Sequence, residues 1–233
     1  MTTLTRMGVF GILAAGCGNY VDLPAAEPLP LVEAVLIGGA TEPEFRIEWL
    51  TPGEDSRPAT PAETTLELVG PTGAPVALRP TGVPGRFSAS LSAPIEAGGR
   101  YRLQGTVAGQ SLVAETTLPA SFRVVVPADT LFATDPIDDL AEAEFRAEAV
   151  GATIFIADSA AFGPGGFATR QAVDTLRIPP PSTGRTITRL RVQALNRDGD
   201  RYLYAGDRAA TNVAGGFGVL AGALERTLVV IWQ

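Results

Sequence analysis

Between Leu31 and Pro119 the chain is cut into short runs in which apolar and polar residues alternate, and glycine or proline bounds the runs. Successive side chains of a strand point to opposite faces, so such a run buries one face and wets the other. In Phe45-Arg46-Ile47-Glu48-Trp49 the apolar side chains share one face and the charges the other. The same period runs through Thr65-Leu66-Glu67-Leu68, Val76-Ala77-Leu78, residues 86–91, Tyr101-Arg102-Leu103-Gln104 and Leu112-Val113-Ala114-Glu115. With residues 32–37 these predict seven strands, joined by turns at Pro71-Thr72-Gly73, Pro84-Gly85 and Gly98-Gly99. Short strands at this spacing build an antiparallel sandwich over 31–119.

Ala97-Gly98-Gly99-Arg100-Tyr101-Arg102-Leu103 resembles the tyrosine corner of Greek-key sandwiches, in which a tyrosine opens a late strand and its hydroxyl bonds to backbone just upstream. The resemblance implies an immunoglobulin-like or prealbumin-like unit, with Tyr101 in a structural role.

A second β-rich unit is expected over 120–233. Phe122-Arg123-Val124-Val125-Val126 reads as a linking strand, and residues 145–156 resemble the strand, Gly-Ala turn and strand of fibronectin type III modules. Residues 173–178, 188–194, 202–204 and 228–232 read as further strands, while the acidic stretch 135–144 reads as the start of a short helix. The fold class predicted for the whole is therefore all-β: two β-sandwich domains behind a leader. Phe162 and Phe167 flank Gly163-Pro164-Gly165-Gly166 on a loop with no evident core to receive them, which makes them candidates for partner contact.

The leader is residues 1–16. One basic residue, Arg6, precedes an apolar run that is too short to span a bilayer and suits a signal peptide. Leu13-Ala14-Ala15-Gly16-Cys17 resembles a bacterial lipobox, so Cys17, the only cysteine, is expected to be lipidated and to hold the protein to the membrane. An unpaired thiol in an oxidising compartment would otherwise be a liability. Residues 17–30 carry Pro24, Pro28 and Pro30 and read as a lipidated N-terminus followed by a tether.

Composition narrows function. With 45% hydrophobic residues, the 233-residue chain can bury a core; its formal charge of −7 argues against nucleic acid as a partner. Histidine is absent and all 18 basic residues are arginine, which removes histidine-based triads, imidazole zinc sites, P-loops and Schiff-base lysines. No cofactor, metal or catalytic residue is assigned. Gly216-Phe217-Gly218-Val219-Leu220-Ala221 mimics a dinucleotide fingerprint, but no βαβ unit fits in the residues that follow, and close backbone packing explains the glycines better. Asn196, Asp198, Asp200 and Asp207 have calcium-loop spacing, but Arg201 stands where that loop needs glycine, so Asp198-Gly199 reads as a hairpin turn. Asp138, Asp139, Glu142 and Glu144 offer carboxylates for glycoside hydrolysis, although such groups on a surface usually just face water. Tyr202, Tyr204, Trp49 and Trp232 are the aromatics a glycan platform could use, and they read better as core.

Lipobox, proline tether, the Val32-Glu33-Ala34-Val35-Leu36-Ile37-Gly38-Gly39 strand, the Gly-Gly-Arg-Tyr corner and the closing Asn212-Val213-Ala214-Gly215-Gly216-Phe217-Gly218-Val219-Leu220 together resemble a family of uncharacterised outer-membrane lipoproteins of Gram-negative bacteria. The resemblance implies a non-enzymatic accessory or binding component at the outer membrane, with an outer-membrane protein or a glycan as partner. It supplies no catalytic residues. A carboxylate-dependent glycan hydrolase and a purely structural envelope protein are the alternatives.

Overall fold

Alternation requires a second surface to cover each buried face, and the two largest of the four described sheets supply it to one another. The computed structural model describes residues 28–51, 55–126, 130–133, 141–144, 146–152, 154–158, 168–170, 175–178 and 187–232. The first half contains β1 (Leu29–Ile37), β2 (Glu44–Leu50), β3 (Arg57–Pro58), β4 (Thr64–Val69), β5 (Pro75–Ala77), β6 (Arg79–Pro80), β7 (Arg86–Ser88), β8 (Arg100–Val107) and β9 (Gln110–Thr117). All seven alternating runs form strands. The additions, β3 and β6, are two-residue pieces ending in proline, too short to show a period. Then come β10 (Ser121–Val126), β11 (Thr130–Ala133), β12 (Ala141–Glu144), β13 (Arg146–Val150), β14 (Ile154–Asp158), β15 (Ala168–Arg170), β16 (Thr175–Ile178) and β17 (Ile187–Leu195). A helical turn α1 (Arg197–Gly199) continues as a π-helical turn, Asp200–Tyr204, before β18 (Val213–Ala214) and the sixteen-residue β19 (Phe217–Trp232). Among the described residues the protein is all-β apart from these helical turns and one 3₁₀ turn, Pro61–Glu63.

The large sheet runs β15-β14-β17-β19-β1-β2-β7-β6, with β3 also on β2 and β11 also on β19. The five-stranded sheet runs β18-β9-β8-β4-β5. Inner faces of the two sheets meet in one core: Val32, Ile47 and Phe87 come from the large sheet, Leu68, Leu103 and Leu112 from the smaller. Tyr101 belongs to that core, and its hydroxyl accepts a 2.8 Å hydrogen bond from the Glu96 N–H, five residues upstream, as expected of a tyrosine corner.

Strands from beyond residue 119 also join both sheets. β18 pairs with β9 through Val213 and Val113–Ala114 neighbours, and β19 lies parallel to β1 from Leu31↔Phe217 to Ile37↔Ala223. On its other side β19 pairs antiparallel with β17, from Leu195↔Ala223 to Ile187↔Ile231. Leu220 points into the core between the sheets, whereas Val219 and Ala221 join Leu31, Leu50 and Leu195 in a second cluster on the opposite face. A Cβ at Gly218, whose φ is +113°, would overlap the Val32 carbonyl oxygen, so close backbone packing accounts for that glycine.

Three local expectations are corrected. Tyr202-Leu203-Tyr204 is a helical turn rather than a strand, and Asp198-Gly199 belongs to α1 rather than to a hairpin. The cause is Asn196, which sits in extended conformation at the end of β17 and accepts the Gly199 N–H at its Oδ1 (3.1 Å), turning the chain into a helix. Gly199 is required by close approach: a Cβ there would stand 2.8 Å from the Ala221 Cβ and from a Leu195 methyl. Within the acidic stretch, Ala141–Glu144 is β12, paired antiparallel with β16 from Ala141↔Ile178 to Glu144↔Thr175; the ladder overrides helix propensity. Residues 134–140 lie outside the described part. β13 and β14 do form on either side of Gly151, but they part company, β13 to β10 and β14 to β17.

Candidate functional site

The arginine and glutamate side chains of the large sheet form a row on its outer face. Residues directly opposite one another in an antiparallel pair share a face. Glu33 on β1 faces Arg46 on β2, and Arg46 faces Arg86 on β7. The Arg46 guanidinium is committed to carboxylates: it donates to Glu33 Oε2 (3.1 Å) and, in a two-pronged contact, to both Glu48 oxygens (2.8 Å each). Glu33 Oε1 in turn accepts from the Tyr202 hydroxyl (3.3 Å) and from Arg208 (3.4 Å), whose guanidinium lies 4.6 Å from the centre of the Tyr202 ring. Burial, then the Glu33 carboxylate, raises the Tyr202 hydroxyl far above its ordinary value, so it stays protonated and donates. This network latches the helical turn onto β1 and β2.

Arg86 has no such partner. Among the described residues neither Arg86 nor Arg79 on the adjacent β6 forms an ion pair, and both are exposed. Arg79 faces Ser88, which shares the face of Arg86 two residues away, so the two guanidiniums belong to the same side of the β6–β7 hairpin.

Beside them lies an apolar groove of about 320 Å³. It exists because β2 shares one edge between two short partners: β7 pairs with its Glu44–Arg46 portion and β3 with Glu48 and Trp49. Where they meet, the Ile47 N–H donates to the Gly85 carbonyl (2.8 Å) and the Ala59 N–H to the Ile47 carbonyl (3.0 Å). Gly85 has φ +70°, and a Cβ there would stand 3.0 Å from the Ile47 oxygen and 3.1 Å from Pro58, so glycine is needed for the turn to close on the sheet. Phe87 and Ala59 are buried at the groove, Pro58, Pro61, Pro80 and Pro84 line it, and Arg86 and the 60% exposed Val83 are at its border.

The Pro61–Glu63 turn beside the groove is fixed by Glu63, which accepts from the Thr60 N–H and hydroxyl (2.9 Å each) and from both Arg57 terminal nitrogens (2.8 and 3.1 Å). The Arg57 contact, followed by the Thr60 bonds, holds the Glu63 carboxyl down at about 2. A carboxylate held below its unfolded value stabilises above that value and loses the effect as pH falls through the folded one. Glu63→Gln should therefore cost under about 1 kcal/mol at pH 7, since the pair is largely exposed, and the cost should shrink between about pH 4.5 and 2 in urea unfolding curves.

Of the expected site residues, Cys17, Phe162 and Phe167 lie outside the described part, as do Asp138 and Asp139. Glu142 stands opposite Arg177 in the β12–β16 ladder. Trp49 and Tyr202 are buried in the two cores, Tyr204 is 42% exposed, and Trp232 is in β19. Of the four residues with calcium-loop spacing, Asp198 accepts from the Asn212 amide at Oδ2 (3.3 Å). The Asn196 amide donates to Thr116 Oγ1 (2.7 Å) and the Thr117 carbonyl (3.1 Å), and Asp207 pairs with Arg201 at 2.6 Å. Among the described residues no three acidic or cysteine side chains gather closely enough to hold a metal ion, and no helix is long and apolar enough to cross a membrane. The groove leaves almost no trace in the sequence. Its only signal there is Pro84-Gly85, because its walls come from two turns more than twenty residues apart.

No protein-family model matches the chain, and no curated protein matches it. Among solved structures it is similar to the N-terminal part of the bacterial S-layer protein SbsC, with 10% identity and a TM-score of 0.27 over 88% of this chain and 44% of that one. The chain thus spans less than half the length of that neighbour, and a likeness at this score does not specify a common fold.

Proposed function

We propose that the chain is a non-enzymatic lipoprotein of the cell envelope, held to the outer membrane through Cys17 and working there as an accessory or binding component. The observation that carries this reading is the place of Cys17, the sole cysteine, directly behind Leu13-Ala14-Ala15-Gly16 at the end of an apolar leader. The tether after it meets the fold at Pro28, whose carbonyl accepts from the Gln110 side chain (3.2 Å) at the β8–β9 turn.

The first unit is read as immunoglobulin-like. The order β1-β2-β7-β6 in one sheet and β9-β8-β4-β5 in the other is that of strands A-B-E-D and G-F-C-C′ of an immunoglobulin domain, and Tyr101 opens β8, the counterpart of strand F. The second unit, of fibronectin type III kind, would span residues 120–233. A binding role suits a surface that offers an apolar groove lined in part by Arg86, which has no ion pair among the described residues.

Cys17→Ser decides the address. The substituted protein should leave the membrane fraction or remain as uncleaved precursor, because several acyl chains, at about 0.8 kcal/mol for each buried methylene, are what hold the wild type. Mass spectrometry of the mature wild-type N-terminus should show an acylated Cys17; an unmodified thiol there would overturn the anchor.

A further inference from the structure

We infer that the proline-lined groove between residues 58–61 and 82–87 receives an aromatic side chain from an acidic polypeptide segment, whose flanking carboxylates settle on Arg86 and Arg79. This rests on the reading of the chain as a binding module and names the chemistry of its partner.

Charge selects the partner's sign. The chain carries a net −7, yet Arg86 in the lining of the apolar groove and Arg79 on the adjacent β6 have no ion pair among the described residues. Arg86 also stands directly opposite Arg46, and like charges so placed repel. Arg46 is already neutralised by Glu33 and Glu48, and the exposed Glu44, two residues along the same face of β2, forms no ion pair with Arg86 or Arg79, which leaves both guanidiniums open to an incoming carboxylate.

The lining selects the partner's side chain. Proline offers no backbone N–H, and Pro58 and Pro80 stand in the edge pieces β3 and β6, so an added strand would find part of each ladder missing. Recognition then falls to side chains. A volume of about 320 Å³ lies at the small end of ligand pockets and fits one anchoring residue rather than an extended ligand. A flat ring meets the flat faces of Pro58, Pro61, Pro80 and Pro84 and covers Val83, as buried aromatic anchors do at interfaces.

The test titrates the ¹⁵N-labelled full-length protein with the blocked peptide acetyl-Ala-Asp-Phe-Asp-Ala-amide and follows backbone amide signals. Those of Ala59, Gly82 and Gly85 should shift and saturate, with Kd of about 1 mM or tighter. Arg79→Gln/Arg86→Gln should weaken binding about tenfold and leave Tm unchanged or slightly raised, since both side chains are exposed and one faces a like charge. Peptides with asparagine for aspartate, or alanine for phenylalanine, should bind at least about tenfold more weakly. No saturable shift at these residues up to about 10 mM peptide, or undiminished binding by the arginine variant, would overturn the inference. So would a saturable response to decanoate with the peptide silent, which would make the groove a site for a lipid acid. Peptide binding by a chain whose Cys17 is unmodified would count against the anchor alone, and a lipidated chain with no peptide response against the groove alone.

Discussion

A chain ended after Asn212 should give no cooperative unfolding transition, even though every strand of the supposed first domain is still present. The deletion removes seven residue pairs that β19 makes with β1, from Leu31↔Phe217 to Ile37↔Ala223, and with them β18 from the edge of the smaller sheet. It also removes Phe217, Val219 and Leu220, each buried, and each contributing about 1.5–3 kcal/mol when fully buried. A loss of roughly 5–9 kcal/mol from these three side chains is comparable with the whole stability of a typical domain, about 5–15 kcal/mol. Circular dichroism during heating would show a broad slope in place of a sigmoid. A sharp transition from the truncated chain would mean that residues 31–119 fold alone and that β19 merely docks.

Asn212→Ala is expected to cost about 2–4 kcal/mol, an unusual loss for a side chain that is only half-buried. Asn212 joins the two sheets. Its amide donates to the Glu115 carbonyl on β9 (3.0 Å) and the Leu220 carbonyl on β19 (2.9 Å), and its Oδ1 accepts the Leu220 N–H (2.9 Å). Alanine would leave the N–H and carbonyl of fully buried Leu220 without these bonds, at about 1–3 kcal/mol for each buried group left unsatisfied. Chemical unfolding of the variant against wild type gives the number. A cost below about 0.5 kcal/mol would show that water replaces the amide and that the clip is not structural.

The seven strands of the first half were legible because each is buried on one face, and one-sided burial imposes period two on the sequence. Tyr101 was legible because its hydroxyl reaches backbone at a fixed distance along the chain, here Glu96. The proximal part of β19 was not. Phe217-Gly218-Val219-Leu220-Ala221-Gly222-Ala223 is covered by a core on each side, so nothing alternates, and its glycines invite comparison with a nucleotide loop. Only the distal residues 228–232 carry a strand signal in the sequence. Tyr202 misled for a related reason: its ring lies in the outer core, 6.0 Å from that of Phe217, but the cap that turns the chain there is Asn196, six residues earlier. The groove gave no signal because neither of its turns is complete without the other.

The adjacency of the first and last strands also sets a clock. At a synthesis rate of about 5–20 residues per second, roughly 10–40 s separate the appearance of Ile37 from that of Phe217. Throughout that interval one edge of β1 has no partner, and the sheet on which the first half depends is open. A fold whose first strand waits for its last stays open, through connectivity alone, until synthesis has passed Phe217.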